Sequence, residues 1–160
     1  MEKIMKCQDV CVKETAKANF SSGFNCAESV LAAVAKKLKM KSSLIPKAAA
    51  GFGAGVGKHG DICGALSGAI IAMGMAEGRT DPKDNESKAK IYARIALLMK
   101  EFKRKFEHTT CRDLTGCNLL TKEGQDKFSN YKIHEQVCPE FVAFAAEKVL
   151  ELIGKDKQDC

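Results

Sequence analysis

Cysteine stands at positions 7, 11, 26, 63, 111, 117, 138 and 160 of a 160-residue chain. Thiolate, not thiol, ligates metals and attacks disulfides, so the residues around each sulfur decide what it can do. Cys26 follows Asn25, a helix-capping residue, and Glu28 completes a capping-box pattern. Cys63 comes two residues after a second candidate cap, Asp61. Cys138 precedes Pro139, which suits the first helical position and makes Cys138 the expected cap. A helix start offers unpaired amides and positive partial charge, and both predict a lowered cysteine pKa. Arg112 offers Cys111 a fixed charge of the same kind. One buried cysteine is usually a small hydrophobe. Three at the starts of separate helices point instead to a shared site, with Cys26 and Cys63 the leading redox thiols.

Several familiar readings fail. There is no Cys-x-x-Cys, no Cys-x-x-Cys-His and no zinc-finger spacing. Gly55-x-Gly57-x-x-Gly60 matches a dinucleotide fingerprint on paper but follows an alanine-rich stretch, not a strand. A phosphate loop would need glycine at Phe52 and serine or threonine at His59. These glycines, Gly57 and Gly60 among them, are expected to bend the backbone beside Cys63 and aim amides at a bound group. His59, His108 and His134 are candidates for a proton-coupled role, His59 first because it lies four residues before Cys63.

Positioning these groups falls to helices. Apolar spacing predicts them over 3–19, from Cys26 to about Lys39, from Ile62 to about Ala76, from about Asn85 to Phe106, and from Cys138 onward, with short ones near 46–50 and 121–128. The segment 62–76 carries Gly64, Ala65, Gly68, Ala69 and Ala72, which let another backbone approach, so it belongs at the centre. Ile91, Ile95, Leu98, Phe102 and Phe106 form one stripe. The expected fold class is all-α: a compact single-domain bundle of about five to six helices over 1–154, with a glycine-rich loop before the central helix and a flexible tail at 155–160.

A chain of this size can bury a core without staples, so eight cysteines point to chemistry. The N-terminus does not read as a secretory signal, and the longest apolar stretch is too short to span a bilayer. The expectation is a cytoplasmic protein whose thiols stay reduced unless catalytic or metal-bound. A net charge of +6 is spread along helices, and few aromatics accompany it. No nucleic acid and no membrane is expected as a partner. The small-residue helix leaves a homodimer open.

The ordered set Asn25-Cys26-Ala27-Glu28, Gly60-Asp61-Ile62-Cys63-Gly64-Ala65-Leu66-Ser67-Gly68, Cys111-Arg112-Asp113-Leu114-Thr115-Gly116-Cys117 and Cys138 resembles the C_GCAxxG_C_C family of bacterial redox-active proteins. The resemblance spans about residues 20–150. It implies a helical redox domain, common in anaerobes, similar to a domain thought to carry an iron–sulfur centre in a split-Soret-type cytochrome. Cys26, Cys63, Cys111 and Cys138 would be the metal ligands, with Cys117 a fifth candidate. The family name orders glycine before cysteine, whereas this chain has Cys63 before Gly64. The implied cofactor is an iron–sulfur cluster of two irons serving electron transfer or redox sensing with an unidentified partner protein. The alternatives are thiol–disulfide exchange by the same cysteines and a structural zinc. Cys7, Cys11 and Cys160 read as structural or incidental, although Cys7 and Cys11, one helical turn apart, could bind a metal.

Overall fold

The computed structural model describes residues 11–154. These form eight helices: α1 (Val12–Ser21), α2 (Cys26–Lys37), α3 (Gly64–Glu77), α4 (Asn85–Phe106), α5 (Cys111–Thr115), α6 (Lys122–Asn130), α7 (Ile133–Gln136) and α8 (Cys138–Leu152). The all-α class holds, but the helix count exceeds five to six. The excess lies in 107–137, where four- and five-residue turns carry too little periodicity to be read. The short helix near 46–50 is instead a 3-10 turn, Lys47–Phe52. Cys7, Cys160, the start of the 3–19 segment and the 155–160 tail lie outside the described residues.

Helices α1, α2, α3 and α8 pack against one another, and α4 covers α3 and α8. As its small residues suggest, α3 is central: Ala65, Leu66, Ala69, Ala72 and Met73 are fully buried. Gly68 sits where a β-carbon would strike the Ala27 carbonyl oxygen, so α2 and α3 cross closely only because residue 68 has none. The α4 stripe buries Ile91, Leu98 and Phe102. Phe106 continues it into an edge-on contact with Phe141 of α8, ring centroids 4.9 Å apart. Buried residues of these five helices form one large core. A second, small core holds only Cys111, Cys117, Leu119 and Ile133.

Two local features join the cores. Ile62 and Thr110 form an isolated antiparallel bridge. Around it, the Cys63 amide donates to the Thr109 carbonyl (2.8 Å), and the Cys111 amide to the Asp61 carbonyl (2.7 Å). The second feature is the glycine-rich loop. Ala54, Gly55, Val56, Gly57 and Lys58 have φ of 55°, 69°, 62°, 57° and 72°, a continuous left-handed turn. Each non-glycine residue there costs about 1–2 kcal/mol, and β-branched Val56 suits the conformation least. Amide donation from Gly60 to the Ala54 carbonyl (3.4 Å) and from Asp61 to the Gly55 carbonyl (3.0 Å) closes the turn.

Candidate functional site

Cys26, Cys63, Cys111 and Cys138 line one cavity of about 300 Å³. Its walls are mostly apolar, with Phe20, Leu114, Leu119, Phe128 and Phe141 beside the thiols, and Lys58, Gln125 and Ser129 also border it.

Each thiol reaches the cavity by a different device. Cys26 opens α2 as its residues suggest. The Glu28 amide donates to Asn25 Oδ1, and the Asn25 amide donates to Glu28 Oε2, both at 2.9 Å. Asn25 Nδ2 also holds the Ala50 carbonyl (3.0 Å), tying the turn before the glycine loop to this helix start. Cys63 is not in a first helical turn. The Asp61 carboxylate accepts from the adjacent Ile62 amide (2.8 Å), and pairing with Thr110 keeps the chain extended. Regular helix therefore begins at Gly64, and Cys63 is the cap residue. Cys138 is the first helical residue of α8 rather than its cap. Val137 holds the cap position with helical backbone angles, because α7 ends only one residue earlier.

Cys111 opens α5, where Thr110 Oγ1 accepts from the Asp113 amide (3.2 Å). Arg112 does not serve it as expected. That guanidinium donates to the His59 carbonyl (3.4 Å) and to Asn118 Oδ1 (3.2 Å). Cys117 is buried in the small core, its Sγ donating to the Thr115 carbonyl (3.4 Å), and it does not line the cavity. Gly57 and Gly60 do not line it either. The loop reaches it through Ala54 and Lys58, while Gly60 makes room for the Arg112 side chain. Cys11 is disulfide-bonded.

The histidine at the cavity is His134, not His59. His134 stacks on Phe20 with ring centroids 4.1 Å apart. His59 is exposed, with Nδ1 3.0 Å from the Val56 carbonyl. The signal used for His59 applied equally to His134, which lies four residues before Cys138.

The electrostatics reverse the expected lowering of thiol pKa. Burial, the largest cause, pushes all four cavity thiols up. Mutual repulsion adds to it: Cys111 is pushed up to about 11 and Cys138 to about 12, both by Cys26 after burial. Helix-start amides do act, but burial outweighs them. The amides of Ala54, Ala27, Cys26 and Gly64 favour the Cys26 thiolate, and those of Ala65 and Leu66 favour that of Cys63. Cys26 and Cys111 thus lie near enough for their charge to reach both Cys63 and Cys138. Yet among the described residues no three His, Cys, Asp or Glu side chains are gathered so as to hold one metal ion. No described helix is long and apolar enough to cross a membrane.

Residues 24–152 match the family model described as "Putative redox-active protein (C_GCAxxG_C_C)". No curated protein and no solved structure matches the chain. The exchanged order at 63 and 64 has a local reason. A β-carbon at position 64 would fall on the Cys26 sulfur. Gly64 leaves that space open while Cys63 supplies a thiol from the cap.

Proposed function

The chain belongs to the redox-active C_GCAxxG_C_C family, and from that premise we propose that Cys26, Cys63, Cys111 and Cys138 hold an iron–sulfur cluster of two irons for electron transfer or redox sensing. The observation that carries this reading is four thiols, delivered by four separate elements, on the wall of one apolar cavity. Soft sulfur donors suit iron–sulfur chemistry. Burial first, and mutual repulsion after it, keep these thiols protonated, and a positively charged iron core would offset both and favour thiolate. A single zinc ion would need three or four of these side chains drawn to one point, whereas each iron of a two-iron cluster needs only two. When bound, a cluster would supply a one-electron couple. The chain's own residues would hold it, keep water from it with Phe20, Leu114 and Phe141, and direct backbone amides to its sulfurs.

The test is purification without oxygen, followed by iron and acid-labile sulfide assays and an absorption spectrum. The expected outcome is a brown protein with iron and sulfide in equal amounts, both lost in Cys26→Ala and Cys138→Ala. A colourless protein that takes up neither under reconstitution sinks the reading. The second reading, thiol–disulfide exchange, draws support from the electrostatic coupling of Cys26 to Cys63, Cys111 and Cys138. It calls for a reversible loss of two free thiols on oxidation of the iron-free protein.

A further inference from the structure

The net charge of +6 is not shared out evenly along the chain. Of the 26 lysines and arginines, six fall in residues 29–60, where there is no aspartate or glutamate; the other 20 are matched by the chain's 20 acidic residues. The whole excess therefore lies on Lys36, Lys37, Lys39, Lys41, Lys47 and Lys58. All of these but Lys37 are exposed. Elsewhere basic side chains face carboxylates: Lys13 meets Glu147, Lys17 meets Glu140 and Arg94 meets Glu77. Among the described residues the five exposed lysines have no such partner.

The fold lays this stretch out as a band that ends at the cavity. Helix α2 starts at the cavity with Cys26 and, at 1.5 Å per residue, carries the chain about 18 Å away. The 3-10 turn brings it back, because Asn25 Nδ2 at the start of α2 holds the Ala50 carbonyl (3.0 Å). The glycine loop then folds beside that turn: a β-carbon on Gly57 would stand 4.0 Å from the Gly51 carbonyl oxygen. Lys58 borders the cavity itself. Leu44, Phe52 and Val56 lie within the same band and are exposed. Local structure accounts for Lys36 and Lys37, which offset the carbonyl end of α2. It does not account for Lys41 or Lys58, and Lys47 stands at the start of the 3-10 turn, where a cation gains nothing from the backbone.

We infer that the lysine-rich band of residues 36–58 is the docking surface for a small acidic electron-carrier protein, which it seats at the mouth of the cysteine cavity. The inference rests on the cluster reading for the electron but not for the docking. Exposed apolar side chains among charges of one sign suit a weak redox encounter steered by opposite charge. The residues also choose among polyanions. All six bases are lysine, a flexible point charge, and the stretch has no arginine, whose planar fork suits phosphate and nucleic acid. The exposed apolar residues sit on turns, not on the amphipathic helix that lies in an anionic membrane surface. A carboxylate-rich protein face needs neither feature.

The test uses the full chain with a purified acidic [2Fe–2S] ferredoxin as the probe. Two variants of equal charge change are compared: Lys41→Glu/Lys47→Glu in the band, and Lys83→Glu/Lys103→Glu near the two ends of α4. With the iron-free chain, binding is followed by NMR titration at low salt. The band variant is expected to bind about tenfold more weakly than the unmodified chain and the α4 variant within about twofold of it, with high salt removing the difference. Absence of binding, or an equal loss in both variants, overturns the inference whatever the iron content. So does tighter binding to single-stranded RNA or to phosphatidylserine vesicles that the band variant loses. With the iron-loaded chain, one electron leaves reduced ferredoxin, which is oxidised, and reduces the centre. The rate of that step is expected to fall about tenfold in the band variant alone. Equal rates in all three proteins overturn the inference while the cluster reading stands. A chain that takes up no iron removes the cluster reading, and the titration still decides the docking.

Discussion

The wall of the cavity formed by α2, α3 and α8 differs in construction from the wall formed by 107–137. The first is the edge of a core in which long helices bury Leu31, Val34, Leu66, Met73, Val142 and Val149 almost completely. The second rests on a four-residue core and on short helices of five, nine and four residues, the first two capped by Thr110 and Thr121. Few buried contacts and many short hydrogen-bonded turns are the marks of a region that opens by itself, below the cost of global unfolding. Cys26, Cys63 and Cys138 belong to the stable side, while Cys111 belongs to the other. A bound group held by both would join two regions of unequal stability.

The largest expected effect lies on the stable side. Phe102→Ala empties a fully buried site in contact with Phe106 and Phe141 and should cost about 3–5 kcal/mol in chemical denaturation. Ile133→Ala removes one of only four buried members of the small core. Its expected local cost is about 2 kcal/mol, read chiefly as faster amide exchange across 111–136 and easier loss of any bound metal. A global midpoint lowered by Ile133→Ala as much as by Phe102→Ala would erase the distinction, because the chain would then be unfolding as one unit.

Proton linkage sharpens the comparison next. A thiol whose folded pKa lies above its unfolded value near 9.0 binds its proton more tightly in the folded state. The stability it contributes is therefore whole below about pH 9 and is lost as pH rises through the folded values, about 11 for Cys111 and about 12 for Cys138. The iron-free, reduced protein should lose stability from about pH 9 upward, by at most about 1.4 kcal/mol per pH unit for each proton. Thermal unfolding across pH 8 to 11 reads this directly, and Cys138→Ala should flatten the decline. A flat profile in the unmodified chain would mean that the sulfurs are not buried together.

The same division explains what could be read from the residues. Helices α2 and α4 were legible because apolar spacing and the Asn25–Glu28 box are local. So was the central place of α3, since Gly64, Gly68 and Ala72 have one use in a helix. The start of α3 lies two residues past the expected Ile62 because the cap is decided by Thr110, a residue remote in sequence that pairs with Ile62 and keeps Cys63 extended. The glycines of 51–60 announce a bend, but not that its left-handed run includes Ala54, Val56 and Lys58, since alanine, valine and lysine do not advertise positive φ. The direction of the thiol pKa shift failed for a related reason. Helix-end amides are visible in sequence, whereas burial and the approach of other sulfurs are tertiary, and here they are the larger causes.

The smallest effect gives the closest comparison of the two walls, because it matches one kind of interaction on each side. Asn25 caps α2 and Thr110 caps α5, each by accepting a backbone amide three residues on. Removing either cap with alanine should cost about 1 kcal/mol where the cap acts. Asn25→Ala acts at the edge of the large core and also releases the Ala50 carbonyl, so its cost should appear in the global denaturation midpoint. Thr110→Ala acts on a five-residue helix in the small core, so the midpoint should barely move while amides of 111–116 exchange faster. Cys111 rides on that short helix and Cys26 on the long one, so any metal bound by both should be lost to a chelator faster in Thr110→Ala than in Asn25→Ala. The opposite order would place the weaker hold on the Cys26 side and reverse the ranking of the two walls.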